Sequence, residues 1–195
     1  MKQYFKNLLR IMENSLMSMD EEVFERLVSD SAGVLKSGHK LIVSGLGKNV
    51  PVCDKFVGTM NSFGLDANYM NTNSAVHGDL GLIHDGDLVI ILTKSGETSE
   101  SVYLNELLQK RQCNIWLLTF EKNSTLTRVI KNSLIIDLEH EGDLWNIAPN
   151  NSTTLNLIVL QALAIRLSEV MGVRLEDFKA NHPGGHIGVI LKNEG

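Results

Sequence analysis

Asp87-Leu88-Val89-Ile90-Ile91-Leu92-Thr93-Lys94-Ser95-Gly96-Glu97-Thr98-Ser99-Glu100 decides how this chain folds. The first half is an unbroken apolar run, the pattern of a parallel strand buried on both faces. The second half changes at once to hydroxyls, a glycine and acids, which predicts a tight turn and then a helix opened by Glu97. That turn gathers Thr93, Ser95, Thr98 and Ser99 with unpaired backbone N–H groups at the positive end of a helix, where an anion fits. The plain alternative is a serine-capped helix with no ligand. Neither Gly-x-x-x-x-Gly-Lys-Ser/Thr nor Gly-x-Gly-x-x-Gly occurs in the chain, so a phosphate monoester is favoured over a nucleotide.

Working outward, strands and helices alternate on both sides of this stretch. Residues 2–17 and 20–36 carry apolar positions at helical spacing, with Asp20 as a cap for the second, and predict a helical arm over residues 1–37 laid against a sheet or a partner subunit. Strands are expected at Lys40–Val43, Ala67–Met70, Ile115–Thr119 and Leu134–Asp137, and helices from about Lys48 to Ser62, 97 to 111, 124 to 130 and 150 to 171. The fold class is therefore α/β: a three-layer, doubly wound, five-stranded parallel sheet in a single domain, residues 1–195, whose α/β core is 38–195, with ligands at the carboxyl ends of the strands. The last long helix is apolar nearly all round, so more than one of its sides must be covered, and a subunit interface would do so.

The totals narrow the partners. A length of 195 residues suits one domain, and a net charge of −5 argues against a broad nucleic-acid surface, leaving an anionic ligand dependent on local lysines. Cys53 and Cys113 are far apart, which favours a reducing, cytoplasmic setting. No apolar run in the sequence approaches spanning length and no signal-peptide core is present, so no membrane role is expected.

Other loops at the same end of the sheet carry chemistry. Ser44-Gly45-Leu46-Gly47-Lys48-Asn49 follows the first strand, with two glycines permitting close backbone approach and Lys48 at the entrance to the next helix. Pro51 fits that helix's first turn. His77 lies in a glycine-punctuated segment, where a structural hydrogen-bonding role is the commoner one for a histidine. Residues 139–151 form an acidic loop with Glu139, Glu141 and Asp143, readable as solvated. Asn150, Asn151, Ser152 and Thr153 offer caps for the last long helix. His182 and His186 have helical pair spacing, but Pro183, Gly184 and Gly185 prevent one helix from carrying both, and zinc is not expected. Ahead of its proline, His182 sits in extended backbone from which it can reach a neighbouring site.

Together these segments resemble the sugar isomerase (SIS) domain family, and within it the arabinose 5-phosphate isomerases. The resemblance rests on Gly45-Leu46-Gly47-Lys48, Ala75-Val76-His77-Gly78-Asp79-Leu80-Gly81, Ser95-Gly96-Glu97-Thr98-Ser99-Glu100, Ala148-Pro149 with Ser152-Thr153-Thr154, and His182-Pro183-Gly184-Gly185, in the family's order. It implies reversible aldose–ketose isomerisation of ribulose 5-phosphate and arabinose 5-phosphate without cofactor or metal, in a homotetramer whose sites borrow a histidine from a neighbouring subunit. By the same resemblance Lys48, His77, Glu100, Glu141 and His182 would be catalytic. Ser44, Gly45, Gly47, Thr93, Ser95, Gly96 and Thr98 would form the phosphosugar-binding loops. Either Glu141 or Glu100 would be the base, with a carboxyl pKa raised toward neutrality by a closed pocket. His182 or His77 would serve ring opening and oxygen protonation, and Lys48 would give electrostatic support. Thr93-Lys94 stands where the family usually has Ser-Asn, Asn49 replaces a common serine, and Asn150-Asn151 stands where Thr-Ser is common. The family's C-terminal cystathionine-β-synthase-like modules are not in this sequence, so regulation through them is not expected. The competing readings are an isomerase of another phosphosugar, such as hexulose 6-phosphate, and a non-catalytic phosphosugar sensor.

Overall fold

The computed structural model describes residues 1–192. Five strands, β1 (Leu41–Gly45), β2 (Ala67–Asn71), β3 (Leu88–Leu92), β4 (Asn114–Thr119) and β5 (Asn132–Ile135), form one sheet in the order β2-β1-β3-β4-β5. Every pairing is parallel, as the alternation of strands and helices requires. β3 is buried along its whole length, and its register places Leu92 opposite Leu118 at the carboxyl end of the sheet.

Helices cover both faces: α1 (Lys2–Met17), α2 (Glu21–Lys36), α3 (Val50–Ser62), α4 (Ser99–Leu108), α5 (Thr125–Val129), α6 (Asn151–Val170), α7 (Leu175–Asn181) and α8 (Gly185–Lys192). Strand side chains alternate between two core layers. Val43, Ile90, Leu92, Trp116 and Leu118 join Phe56 of α3 and Leu155, Leu160 and Leu163 of α6. Ile42, Val89, Ile91 and Leu117 join Leu104 and Leu108 of α4 and Leu126 of α5. That alternation is the period of two expected of a sheet packed on both faces.

Two boundaries and one loop differ from expectation in ways that bear on the site. β5 lies two residues earlier than Leu134–Asp137, because the chain leaves the regular ladder after Ile135 while the Ile136 N–H still donates to Thr119 O at 3.0 Å. α4 begins at Ser99, so Glu97 does not open the helix. Its carboxylate instead accepts the Thr125 N–H at 2.7 Å, tying the turn to the start of α5. The acidic loop after β5 is also not simply solvated. Glu139 takes both guanidinium nitrogens of Arg10, Asp143 accepts the N–H groups of Trp145, Ile147 and Ala148, and Glu141 is fully buried.

α6 buries one face, Leu155, Val159, Leu160, Leu163, Ala164 and Leu167, while Ile165 on the other stays about half exposed. At 20 residues with a mean hydropathy of 1.3 over its most apolar window, it is long and apolar enough to cross a membrane, contrary to the reading that no such run exists. Here that length serves as a core helix, packed against α1, α2 and α3.

Candidate active site

The β1–α3 turn, the β3–α4 turn and the start of α6 meet at the carboxyl end of the sheet around a cavity of about 220 Å³. Crossovers in a parallel sheet leave such a crevice where neighbouring connections depart to opposite faces, here between β1 and β3. Leu46, Gly47, Lys48 and Asn49 line one side, Leu92, Thr93, Lys94, Thr98 and Ser101 another, and Pro149, Ser152, Thr153 and Asn156 the third.

The opening stretch has the predicted strand–turn–helix form. The plain serine-capped alternative does not hold: Thr98 occupies the N-cap position, and α4 has no side-chain cap. Thr98 Oγ1 instead lies 3.2 Å from Thr93 Oγ1, while Ser95 Oγ accepts the Glu97 N–H at 3.1 Å. The first amides of α4 are thus left for water or a ligand beside the positive helix end. Gly96 makes the turn possible. Its φ is +64°, and a β-carbon there would collide with the Ser124 side chain.

The expected binding residues divide. Gly47, Thr93 and Thr98 line the cavity. Gly45 supports it from behind, since a β-carbon there would come within 2.8 Å of Asn49 Cβ and 3.2 Å of Cys53 Sγ. Ser44 is fully buried on the opposite face of β1, sharing a 2.9 Å hydrogen bond with Thr72. Ser95 opens instead into a neighbouring cavity with Glu97, Phe120, Glu121, Asn123, Leu138 and Asn146, and Lys94 lines both spaces.

Of the expected acid–base residues, Lys48 alone lines the cavity within one protomer. Glu141 stands behind it, with side-chain exposure of 0%. Oε2 accepts the N–H groups of Asn150 and Ser152, each at 3.0 Å, and so caps α6 in place of the Asn and Ser side chains expected to do it. Oε1 meets the Lys94 ammonium at 2.7 Å and has no other partner among the described residues. Burial pushes the Glu141 pKa up, but Lys94 and the amides of Ser152 and Asn150 outweigh it and hold the carboxyl below its ordinary value. The expected rise toward neutrality is therefore reversed. Glu100 is exposed, and its own backbone N–H and the Ser99 hydroxyl hold it below the ordinary value as well.

The histidines lie elsewhere. His77 is exposed at the end of a short 3-10 turn, Ala75–His77. His182 ends α7, stacked on Phe178 with centroids 4.1 Å apart. Phe178 packs on Phe63, and Asn181 Nδ2 donates to Ser62 O at 3.3 Å, so this group sits at the C-terminal end of α3. The cavity is at the other end of that 13-residue helix, about 20 Å away at 1.5 Å per residue. Within a protomer the two do not meet.

Lys94, Ser101, Ser152, Thr153 and Asn156 were not assigned to the site from sequence. Ser152 and Thr153 had a signal in the capping cluster. Lys94 and Asn156 had little, a single lysine after a strand and a single amide in an apolar helix. Among the described residues no group of three or more His, Cys, Asp or Glu side chains is arranged to hold a metal ion.

Fold and site together define a doubly wound α/β protein whose strand ends present a cationic, hydroxyl-lined cavity suited to a small phosphorylated ligand. The SIS domain family matches residues 34–166, and the chain belongs to it. It is 30% identical over 187 residues to arabinose 5-phosphate isomerase KdsD of Yersinia pestis, covering 96% of this chain and 57% of that relative. To the KdsD enzyme of Pseudomonas aeruginosa it is 35% identical over 157 residues, 80% of this chain and 48% of the relative. The chain thus spans about half the length of the curated relatives it matches. The solved structure of E. coli CFT073 c3406 in complex with arabinose 5-phosphate superposes with a TM-score of 0.84 at 31% identity, covering 93% of this chain and 95% of that one.

Proposed function

We propose that this protein is a phosphosugar aldose–ketose isomerase that interconverts arabinose 5-phosphate and ribulose 5-phosphate through an enediol. The observation that carries this reading is the cavity where Lys48, the Thr93–Thr98 turn and the cap of α6 converge, with a buried, ionised Glu141 immediately behind. The likeness to the KdsD enzymes and to the arabinose 5-phosphate complex supports the choice of sugar.

In this scheme the phosphate dianion takes hydrogen bonds from Thr93, Thr98 and the free amides of α4. A carboxylate, Glu141 or Glu100, removes the proton from C2 of the aldose and returns it to C1. The proton of the C2 hydroxyl moves to the C1 oxygen, so an aldehyde becomes a ketone with no redox partner. Lys48 stabilises the charge that develops on oxygen. His182 acts in ring opening and proton transfer on oxygen, from a neighbouring subunit, since it is a helix length from the cavity of its own. Assembly into a homo-oligomer, a tetramer by resemblance, is part of the proposal, and the half-exposed Ile165 on α6 offers it an apolar surface. His77 is proposed to contribute from the edge of the site.

One observation favours the sensor reading: among the described residues, Glu141 and Glu100 are both held below the ordinary carboxyl value, and neither His77 nor His182 lines the cavity. Incubation of the protein with pentose and hexose phosphates separates the readings. Ketose formation from arabinose 5-phosphate, faster than from the hexose phosphates, is expected. Binding without turnover of any phosphosugar would overturn the isomerase reading.

A further inference from the structure

Asn156 lies in the second turn of α6, on the cavity wall with Lys48, Ser152 and Thr153, and is 1% exposed. Its neighbours along the helix, Leu155, Val159 and Leu160, are core residues. An amide at such a position needs its polar atoms engaged. Nδ2 donates to Asn49 Oδ1 at 3.0 Å, linking α6 to the turn that carries Lys48. Among the described residues, Oδ1 has no hydrogen-bond partner.

Asn151, one turn earlier and fully buried, shows what a structural amide looks like in this helix. Its Nδ2 donates to His140 O at 2.8 Å and its Oδ1 accepts from Asn150 Nδ2 at 3.3 Å. Nothing similar serves Asn156. Of the hydroxyls one turn back along α6, that of Thr153 is committed to Asn150 O at 2.9 Å and that of Ser152 to Glu141. A buried acceptor at the edge of a cavity is matched by a ligand that supplies a donor there. An ionised phosphate has no proton to give and a carbonyl has none, but a sugar hydroxyl does.

We infer that Asn156, held in place by Asn49, is a specificity-determining residue whose Oδ1 accepts a hydrogen bond from a hydroxyl on a non-reacting carbon of the bound phosphosugar. This deepens the isomerase reading and rests on the same cavity. In a pentose 5-phosphate that reacts at C1 and C2, the hydroxyl is the one on C3 or C4. An epimer at that carbon turns its hydroxyl away and leaves the amide oxygen unpaired, so the residue selects configuration as well as presence.

Arabinitol 5-phosphate cannot be isomerised, so calorimetry with it and with its 3-deoxy and 4-deoxy analogues reads recognition apart from turnover. The wild-type protein is expected to bind one of the two deoxy analogues about 10- to 100-fold more weakly than the parent. Asn156→Leu, with Asn156→Ser as a second variant of smaller side chain, is expected to bind parent and analogue within about threefold of each other. Equal binding of all three by the wild type overturns the inference without recourse to any variant, as does a variant that keeps the wild-type discrimination. Discrimination by a protein that turns over no phosphosugar would sink the isomerase reading and leave this one standing. No binding of any of the three overturns the inference, while the isomerase reading still stands or falls on turnover of arabinose 5-phosphate.

Discussion

The two ends of the sheet each hold a lysine against a buried carboxylate, and they use the pair differently. At the amino end Lys40 Nζ lies 2.8 Å from Asp87 Oδ2, with side-chain exposures of 13% and 1%. Asp87 also accepts the N–H groups of Lys40 and His84, and Lys40 contacts His84 Nδ1 at 3.0 Å. Each oxygen of that carboxylate is satisfied and the cluster clamps the start of β3 to the start of β1. At the carboxyl end Lys94 meets Glu141 at 2.7 Å, but the lysine is 43% exposed and lines two cavities, and Oε1 has no second partner. The first pair is closed on itself. The second can be rearranged by a ligand, which makes it the pair to test for function.

Substitutions at the two ends of the sheet should tell them apart. Lys48→Met removes the cation that faces the cavity and should lower kcat/KM by about 10²- to 10³-fold with the melting temperature unchanged. A comparable loss of kcat, about 10²- to 10⁴-fold, is expected for Glu141→Gln if that carboxylate is the base. Near-normal turnover would hand the role to Glu100. Asp87→Ala should do the reverse of both. It leaves Lys40 partly buried without a counter-charge and should cost about 3 kcal/mol in denaturant unfolding, while activity per folded molecule is retained.

Acid separates the ends more finely. Burial raises the pKa of Asp87 and of Glu141, yet in both the lysine and backbone amides outweigh it and leave the folded value depressed. Each therefore adds stability that is present above the unfolded carboxylate value and is lost as pH falls through the lower folded value, below roughly pH 4. Lys94→Met removes the strongest of the influences that oppose burial at Glu141, so the acid limb of the kcat profile should move toward higher pH. An unmoved limb would mean that Glu141 does not govern it. The smallest effect expected is at Ser124, whose hydroxyl accepts the Thr127 N–H in a capping box behind the Gly96 turn. Ser124→Ala should cost about 1 kcal/mol of stability, read by thermal unfolding.

The strands that position both clusters were legible because β1, β3 and β4 are buried on two faces and so read as continuous apolar runs. β5 was placed late because the apolar run Leu134-Ile135-Ile136 is conspicuous there, whereas the ladder begins at the polar Asn132 opposite Trp116. The turns were legible from Gly47, Gly96 and the hydroxyls around them. What escaped was whatever depends on residues far apart in the chain. Lys94 is unremarkable until Glu141 folds back onto it, and Asn156 reads as a core position until Asn49 reaches it. Glu141 was singled out by resemblance, but its pKa direction is set by Lys94 and by the α6 amides that it caps, which no local pattern announces. His182 reads as loop-like, and only the packing of Phe178 on Phe63 shows how far from its own cavity it sits.

If the carboxyl-end cluster moves a proton between adjacent carbons of a phosphosugar, as proposed, solvent hydrogen must enter the sugar. Proton NMR of arabinose 5-phosphate incubated with the protein in deuterated water should show loss of the C2 proton signal as deuterium enters that carbon, at a rate that falls with Lys48→Met and is untouched per folded molecule by Asp87→Ala. A C2 proton that persists while the sugar is bound would contradict it.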